Sequence, residues 1–466
     1  MLILSLLLLA QSPLLEIGTA QVDITPPVGM PLAGYYSTRL ATGTHDPLHA
    51  KAIVIKDANH VVALVACDLT NLPPEVIEQA RALIRFEDGH VMISATHSHT
   101  GPVLSTNSSR NSAYGGDLPI VAAYMRQLPQ RIAAAVAQAL KNARPGTVSS
   151  GVGQESSVAF NRRFHMKDGS VGWNPGKLNP GIVRPAGPID PDVNVVLFAD
   201  AQGQPLATYV NYALHLDTVG GYDFSADYPY ALSQLLSKVQ GPMLTLFTMG
   251  TSGNINHIDV TRKEPQKGHA EAARIGQVLA GEVIKTYTRL KPTAGPLRTS
   301  TAQIELALPP VTADEVAQAK AVAAQVLAGQ NPKFLDTVAA FKTLDVHERA
   351  GKPWSAEVQV IALGQDLAWV ALPGEIFVEL GQQIKRASPF KHTIIVELAH
   401  GPITYFPNDS AFPQGNYEVV TSRGARGSGE RLVESAITQL KALYAHPVGR
   451  APGPPYLLLV FRPLRK

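Results

Sequence analysis

The sequence predicts an α/β fold, a large mixed β-sheet domain with flanking helices. Short runs rich in Val, Ile, Leu or Thr recur along the 466 residues, most of them bounded by Gly, Pro, Asp or Asn. Longer stretches with helical apolar spacing alternate with these runs, the pattern of layered helices and parallel or mixed sheet. Hydrophobic residues make up 45% of the chain and charged residues 17%. That is enough apolar material for a sizeable core, and too little charge for a disordered chain or a coiled coil.

In chain order, Leu2 to Ala10 form a compact apolar stretch, too short to cross a bilayer. It reads as the centre of a signal peptide over residues 1–15, which predicts a secreted or periplasmic protein with no transmembrane segment in the mature chain. Strands are expected at Ala52–Ile55, Val61–Ala66, Val91–Ala95, Val193–Phe198, Leu206–Tyr212, Leu244–Thr248, Val358–Ala362, Leu367–Leu372 and Thr393–Leu398. Helices are expected at Pro74–Arg85, Ile120–Asn142, Tyr228–Lys238, Gly268–Leu290, Ala313–Ala328, Ile376–Ser388 and Gly429–Ala445. Asn161–Pro191, dense in Gly, Pro and polar residues, reads as a long surface loop. Residues 309–352 read as a mainly helical, Ala-rich insertion between strands. The tail from 447 to 466 has a Pro/Gly linker and then one apolar strand.

Several function classes lose support from composition alone. The formal net charge is +3 with no basic block, so nucleic acid is not an expected partner. The single cysteine, Cys67, can form neither an internal disulfide nor a zinc–thiolate cluster. Its place in VVALVAC marks it as a small buried hydrophobe. Gly250-Thr251-Ser252-Gly253 lacks the Gly-Lys-Ser/Thr ending of a phosphate-binding loop.

The informative positions lie just past the carboxyl end of each apolar run. Val61–Ala66 leads to Asp68, Val91–Ala95 to His97-Ser98-His99, and Leu206–Tyr212 to His215 and Asp217. Leu244–Thr248 leads to Gly250–His257, Leu367–Leu372 to Glu375, and Thr393–Leu398 to His400 and Tyr405. In open α/β sheets, ligands sit beyond the carboxyl ends of strands. His97 and His99, two apart on a strand end, share a face. Two imidazoles there can bind a divalent ion together, or one can bind while its neighbour serves substrate. His215 and Glu375 from other strand ends would complete a zinc-type site. Asp68 has a plainer reading, as a turn residue accepting backbone N–H groups.

These residues also resemble a known family, the neutral/alkaline, non-lysosomal ceramidases. The resemblance is carried by Ala20-Gln21-Val22-Asp23-Ile24-Thr25-Pro26-Pro27, by Thr96-His97-Ser98-His99-Thr100-Gly101-Pro102, by Asn161-Arg162, by Pro373-Gly374-Glu375 and by the stretch from Tyr405 to Tyr417-Glu418. It implies a zinc hydrolase domain over residues 16–446. It also implies Zn2+ ligands at His97, His215, Glu375 and Tyr405, with His99 beside the metal and Arg162 and Tyr417 lining the pocket. Two departures stand out. Asn256, in Gly253-Asn254-Ile255-Asn256-His257-Ile258, occupies the position of the family's catalytic serine. The family's C-terminal immunoglobulin-like domain has no counterpart in these residues.

The expectation is therefore a zinc-dependent hydrolase of an amide bond in which metal-activated water replaces the serine nucleophile. His99 would move protons. Arg162, Tyr417 and Asn256 would donate hydrogen bonds to the tetrahedral oxyanion. The expected partner is a small-molecule or lipid-like N-acyl substrate. Two alternatives are an ester or polar N-acyl hydrolase and a non-catalytic secreted binding protein on the same scaffold.

Overall fold

The structure is a computed structural model that describes residues 15–86, 90–104 and 108–446. The leader expected over 1–15, except Leu15, and the tail strand expected over 447–466 lie outside the described residues.

Eight strands form the long sheet: β1 (Leu15–Asp23), β2 (His49–Lys56), β3 (Val61–Cys67), β4 (Val91–Ala95), β5 (Arg144–Gln154), β6 (Asp192–Asp200), β7 (Pro205–Tyr212) and β8 (Leu244–Met249), in the spatial order β8-β7-β6-β5-β1-β2-β3-β4. The short strand Lys291–Thr293 adds to β5. Neighbours run antiparallel except at the two ends, where β3 pairs with β4 and β7 with β8 in parallel. A second sheet holds β9 (Leu297–Leu306), β10 (Trp354–Leu363), β11 (Leu367–Ala371) and β12 (His392–Val396), with β11 and β12 parallel. Each parallel pair is joined through a helix, as parallel pairing requires. These are α1 (Pro74–Ile84), α3 (Tyr228–Gln240) and α7 (Val378–Ala387). The mixed α/β architecture is the one expected.

Alternation within single strands explains how the sheets stack. Ala52 and Val54 of β2, with Ala63, Val65 and Cys67 of β3, join a core shared with α1, α2 (Pro119–Lys141), α3 and α4 (His269–Tyr287). The intervening residues Ile53, Ile55, Val62 and Leu64 face the other way and pack on Ile361, Leu363 and Trp369 of the second sheet. The outer face of that sheet, with Val358, Val360 and Val370, packs on α7 and α8 (Ser428–Ala445). The result is four layers, helix–sheet–sheet–helix. Strands buried on both faces read as unbroken apolar runs. Cys67 is fully buried among them.

Three strands lack such an apolar signature. β5 reads RPGTVSSGVGQ and carries few apolar residues. Gly151 and Gly153 leave space for the end of α4: a Cβ on Gly153 would lie 2.5 Å from Thr286 Oγ1. β1 has the same feature, since a Cβ on Gly18 would strike the Ala139 carbonyl of α2. β9 has no clear apolar run either, because Thr299, Ser300 and Thr301 are polar and half-buried and Gln303 and Glu305 are exposed. The long surface loop expected over Asn161–Pro191 is corrected: it folds as a three-stranded sheet of Arg163–Met166, Val171–Trp173 and Ile182–Pro185. Between β9 and β10 stand two antiparallel helices, α5 (Ala313–Leu327) and α6 (Phe334–Glu348). Among the described residues no helix is long and apolar enough to cross a membrane.

The stretch after β12 joins the two ends of the long sheet. Glu397 N–H donates to Met249 O at the end of β8, at 3.1 Å. The next residue accepts from β4, Ala95 N–H to Leu398 O at 3.1 Å, and His400 N–H donates to Ile93 O. The loops after β4, β7, β8, β11 and β12 are thereby gathered at one place.

Candidate metal centre

His97 is the second residue beyond β4, and its backbone is left-handed (φ +76°). For a residue with a Cβ this costs about 1–2 kcal/mol. It is held by the His97 N–H donating to Leu69 O at 2.8 Å and by Nδ1 lying 2.8 Å from Thr70 O. His215 comes after β7, with its Nδ1 2.9 Å from Ser252 O. A carbonyl only accepts, so in both rings Nδ1 carries the hydrogen and Nε2 presents its lone pair. Glu375 comes after β11, and Tyr405 pairs with it in a two-residue parallel bridge that sets their side chains next to each other. Gly374 (φ +124°) permits that bridge, because a Cβ there would collide with Thr404 O.

These four side chains, drawn from four loops, meet. Oε2 of Glu375 lies 3.2 Å from His97 Nε2 and 3.0 Å from His215 Nε2. The Tyr405 hydroxyl is 3.3 Å from His215 Nε2. His99 Nε2 is 3.2 Å from His97 Nε2, and all three imidazoles offer donor atoms within 4.8 Å of one another. Glu375 Oε2 is buried with no hydrogen-bond donor of its own. Lone pairs aimed at an unpartnered carboxylate oxygen repel one another, and a cation among them removes the conflict. Imidazole, carboxylate and phenol donors suit zinc or another late divalent ion better than calcium.

The charge balance agrees. Burial lowers the pKa of His99 to about 3 and that of His215 to about 4, leaving both neutral and able to ligate. Burial also acts against a charge on His97, but Glu375 more than restores its basicity, so a metal would compete there with a proton for one lone pair. Burial works against charge on Glu375 too, yet His97 and His215 hold its carboxyl well below the usual range. Burial and Glu375 push the Tyr405 phenol well above its ordinary value, with Arg162 pulling the other way.

The other expected residues fall into two groups. His99 and Tyr417 border the same cavity of about 920 Å³ as His97, Glu375 and Tyr405. Tyr417 stands edge-on to Tyr405, with ring centroids 5.5 Å apart. Arg162 and Asn256 do not border it. Arg162 lies behind Tyr405, giving Nε–H to Glu418 at 2.8 Å and Nη2–H to Gly253 O at 2.6 Å. Its guanidinium also ties together the loops under the ligands. Asn256 donates through Nδ2 to Asn174 Oδ1 and accepts at Oδ1 from Ile258 N–H. The neighbouring His257 is buried with Nε2 2.6 Å from Gln266 O. Asp68 is the turn residue expected, accepting from His49 N–H and pairing with Lys51.

Three further residues take their roles at the site only from the structure. Asp217 Oδ1 lies 3.5 Å from His99 Nδ1 and accepts from the Tyr35 hydroxyl. Gly34 (φ +94°) leaves room for His99, whose ring a Cβ would strike at 2.6 Å. Glu397, fully buried, accepts from Ser252 N–H, Ser252 Oγ–H and Ile376 N–H, so one carboxyl group ties the loop behind His215 to the strand of Glu375. Asp217 was visible in principle, two positions after His215. Glu397 had a sequence signal, an acidic residue inside the apolar run IIVELA.

Comparison with known proteins joins this geometry to a lineage. Residues 15–215 match the family described as neutral/alkaline non-lysosomal ceramidase, N-terminal, a segment that includes His97, His99, Arg162 and His215. The fold is similar to the crystal structure of neutral ceramidase from Pseudomonas aeruginosa (TM-score 0.74, 18% identity, 95% of this chain and 76% of that one). It is also similar to a structure described as ceramidase complexed with C2 (TM-score 0.72, 17% identity, 95% and 77%). No curated protein sequence matches the chain. Residues 15–215 are thus similar to the N-terminal part of the neutral/alkaline non-lysosomal ceramidases, and the fold of two solved ceramidases is shared along nearly the whole chain.

Proposed function

We propose that this protein is a zinc-dependent hydrolase of an N-acyl amide bond. One observation carries the reading: His97, His215, Glu375 and Tyr405, from four separate loops, meet at a buried point with both imidazole tautomers fixed. A zinc ion there would supply Lewis acidity toward the scissile carbonyl and toward water. The chain's own residues supply the rest. Asp217 Oδ1 stands 3.5 Å from Nδ1 of His99, a carboxylate close enough to favour a positive charge on that ring, and Nε2 of His99 would take up and return a proton. The Tyr417 hydroxyl is a donor on the cavity wall for a developing oxyanion. Arg162, anchored by Glu418, keeps positive charge behind Tyr405. No serine from the loop after β8 is free to attack, because Ser252 gives its Oγ–H to Glu397. This supports water as the nucleophile.

The cavity wall mixes polar residues, among them Glu75, Glu78, Gln303 and Lys352, with apolar ones such as Ile77, Val103, Trp354 and Ile403, so both polar and lipid-like N-acyl substrates belong in the test. The test is a panel of ceramides, polar N-acyl amides and esters offered to zinc-loaded and to chelated protein, with products read by mass spectrometry. Amide cleavage that disappears on chelation and returns with zinc is expected. Ester cleavage alone, or turnover untouched by chelation, would refute the reading.

A further inference from the structure

We propose that Arg110 recognises an anionic group on the substrate, so that the substrates are N-acyl compounds carrying a carboxylate close to the scissile amide. This rests on the amide-hydrolase reading and adds the substrate class.

Arg110 lies in the short helix Ser109–Ala113 and borders the cavity that contains His97, Glu375 and Tyr405. Its Cζ stands 4.1 Å above the ring of Tyr36, which fixes the plane of the guanidinium. The other arginines on these walls are already engaged. Arg81 forms a two-point pair with Glu357 at 2.7 and 2.9 Å. Arg423 pairs with Asp345. Arg349 gives its N–H groups to the carbonyls of Lys352 and Pro353 and lies over Trp354. Among the described residues Arg110 has the Tyr36 ring and no carboxylate or carbonyl partner for its side chain.

A guanidinium partly withdrawn from water with its N–H fork unfilled is costly unless a ligand fills it. The fork matches a carboxylate at two points, a geometry that a neutral hydroxyl cannot reproduce. The Tyr36 ring beneath Arg110 meets Phe334 edge-on, Phe334 stacks on Tyr417, and Tyr417 stands edge-on to Tyr405, so a line of aromatic contacts joins the guanidinium to the ligand side of the cavity. An anion held there is therefore held near the reacting bond. A cation at the centre would add to the same positive field and strengthen the preference.

The experiment uses zinc-loaded full-length protein and two matched compounds, N-octanoylglycine and N-octanoylethanolamine, which differ in carboxylate against hydroxyl. Hydrolysis is followed as kcat/KM, and equilibrium binding is measured in parallel by calorimetry. The wild type should prefer the carboxylate by at least about tenfold in both readouts, in line with a charge-assisted two-point contact. Arg110→Gln should bring the ratio close to one, mainly through KM, and Arg110→Lys should restore part of it. Zinc content and thermal unfolding of the variants establish that fold and centre persist. Equal handling of the two compounds by the wild type, or an equal loss for both in Arg110→Gln, overturns the proposal. If neither compound is cleaved but the carboxylate still binds more tightly in an Arg110-dependent way, the hydrolase reading fails and this one stands.

Discussion

Among the described residues, two histidine clusters place three donor side chains within 4.8 Å of one another, and they could hardly differ more. One is His97, His99 and His215, all buried. The other is His45, Asp46 and His269, where both imidazoles are exposed. In the first, the rings of His97 and His215 stand at 82°, and their Nε2 atoms converge on one carboxylate oxygen. In the second, His45 and His269 stack at 3.5 Å with planes 12° apart, so their ring nitrogens point along nearly parallel planes. A metal lies in the plane of the imidazole that holds it, so stacked rings share one poorly. Asp46 is also occupied, by Ser225 Oγ–H, Ala226 N–H and His45 Nδ1. Proximity of donors is thus a weak criterion. Convergence, burial and a fixed tautomer separate a centre from a chance meeting of side chains.

The largest effect expected from this contrast is on the buried cluster. His97→Ala and Glu375→Ala should each lower bound zinc from about one per chain to a small fraction, and lower kcat/KM by about a thousandfold or more, the scale of a lost central electrostatic contribution. Elemental analysis beside steady-state kinetics checks this. Retention of stoichiometric zinc in both variants would show that the metal, if present, sits elsewhere.

A smaller effect should result when the ligands are kept and their support is altered. Glu397→Gln keeps size and burial, but it turns one acceptor oxygen into an N–H that faces either Ser252 or Ile376. Outer-shell changes of this kind typically cost about 10- to 100-fold in metal affinity. Competition with a chromogenic chelator reads that shift directly, while zinc stoichiometry at saturation should stay near one. An affinity equal to the wild type would mean that the loops behind His215 and Glu375 hold their places without Glu397.

Much of the layered fold was legible because both sheets are buried on two faces, which writes strands such as VVALVAC as unbroken apolar words. β1 and β5 were not legible: their glycines answer to helices Pro119–Lys141 and His269–Tyr287, contacts that no local window contains. His97, His215 and Glu375 could be nominated because each comes after an apolar run, and a strand end is a local feature. Tyr405 needed the family resemblance, since its place is set by register with Glu375 across 30 residues. The partners of Arg162 and Asn256 were not legible for a related reason: Glu418, Gly253 and Asn174 lie far from them in sequence.

The sharpest check on the contrast between the two clusters has the smallest expected effect. In a His45→Ala/His269→Ala double variant, the stack is lost while Asp46 keeps Ser225 Oγ and Ala226 N–H. Both rings are exposed, so the change in stability should stay within about 0.5 kcal/mol, as for other surface substitutions. Zinc content and the zinc dependence of turnover should match the wild type. The measurement is demanding because it asks for no change, so it is best made in the His97→Ala background as well, where zinc bound to the surface cluster would stand out against an emptied centre. Zinc in the His97→Ala protein that disappears on adding the two surface substitutions would show that stacked, exposed imidazoles can turn and capture an ion, and convergence in the resting structure would then lose its standing as the criterion.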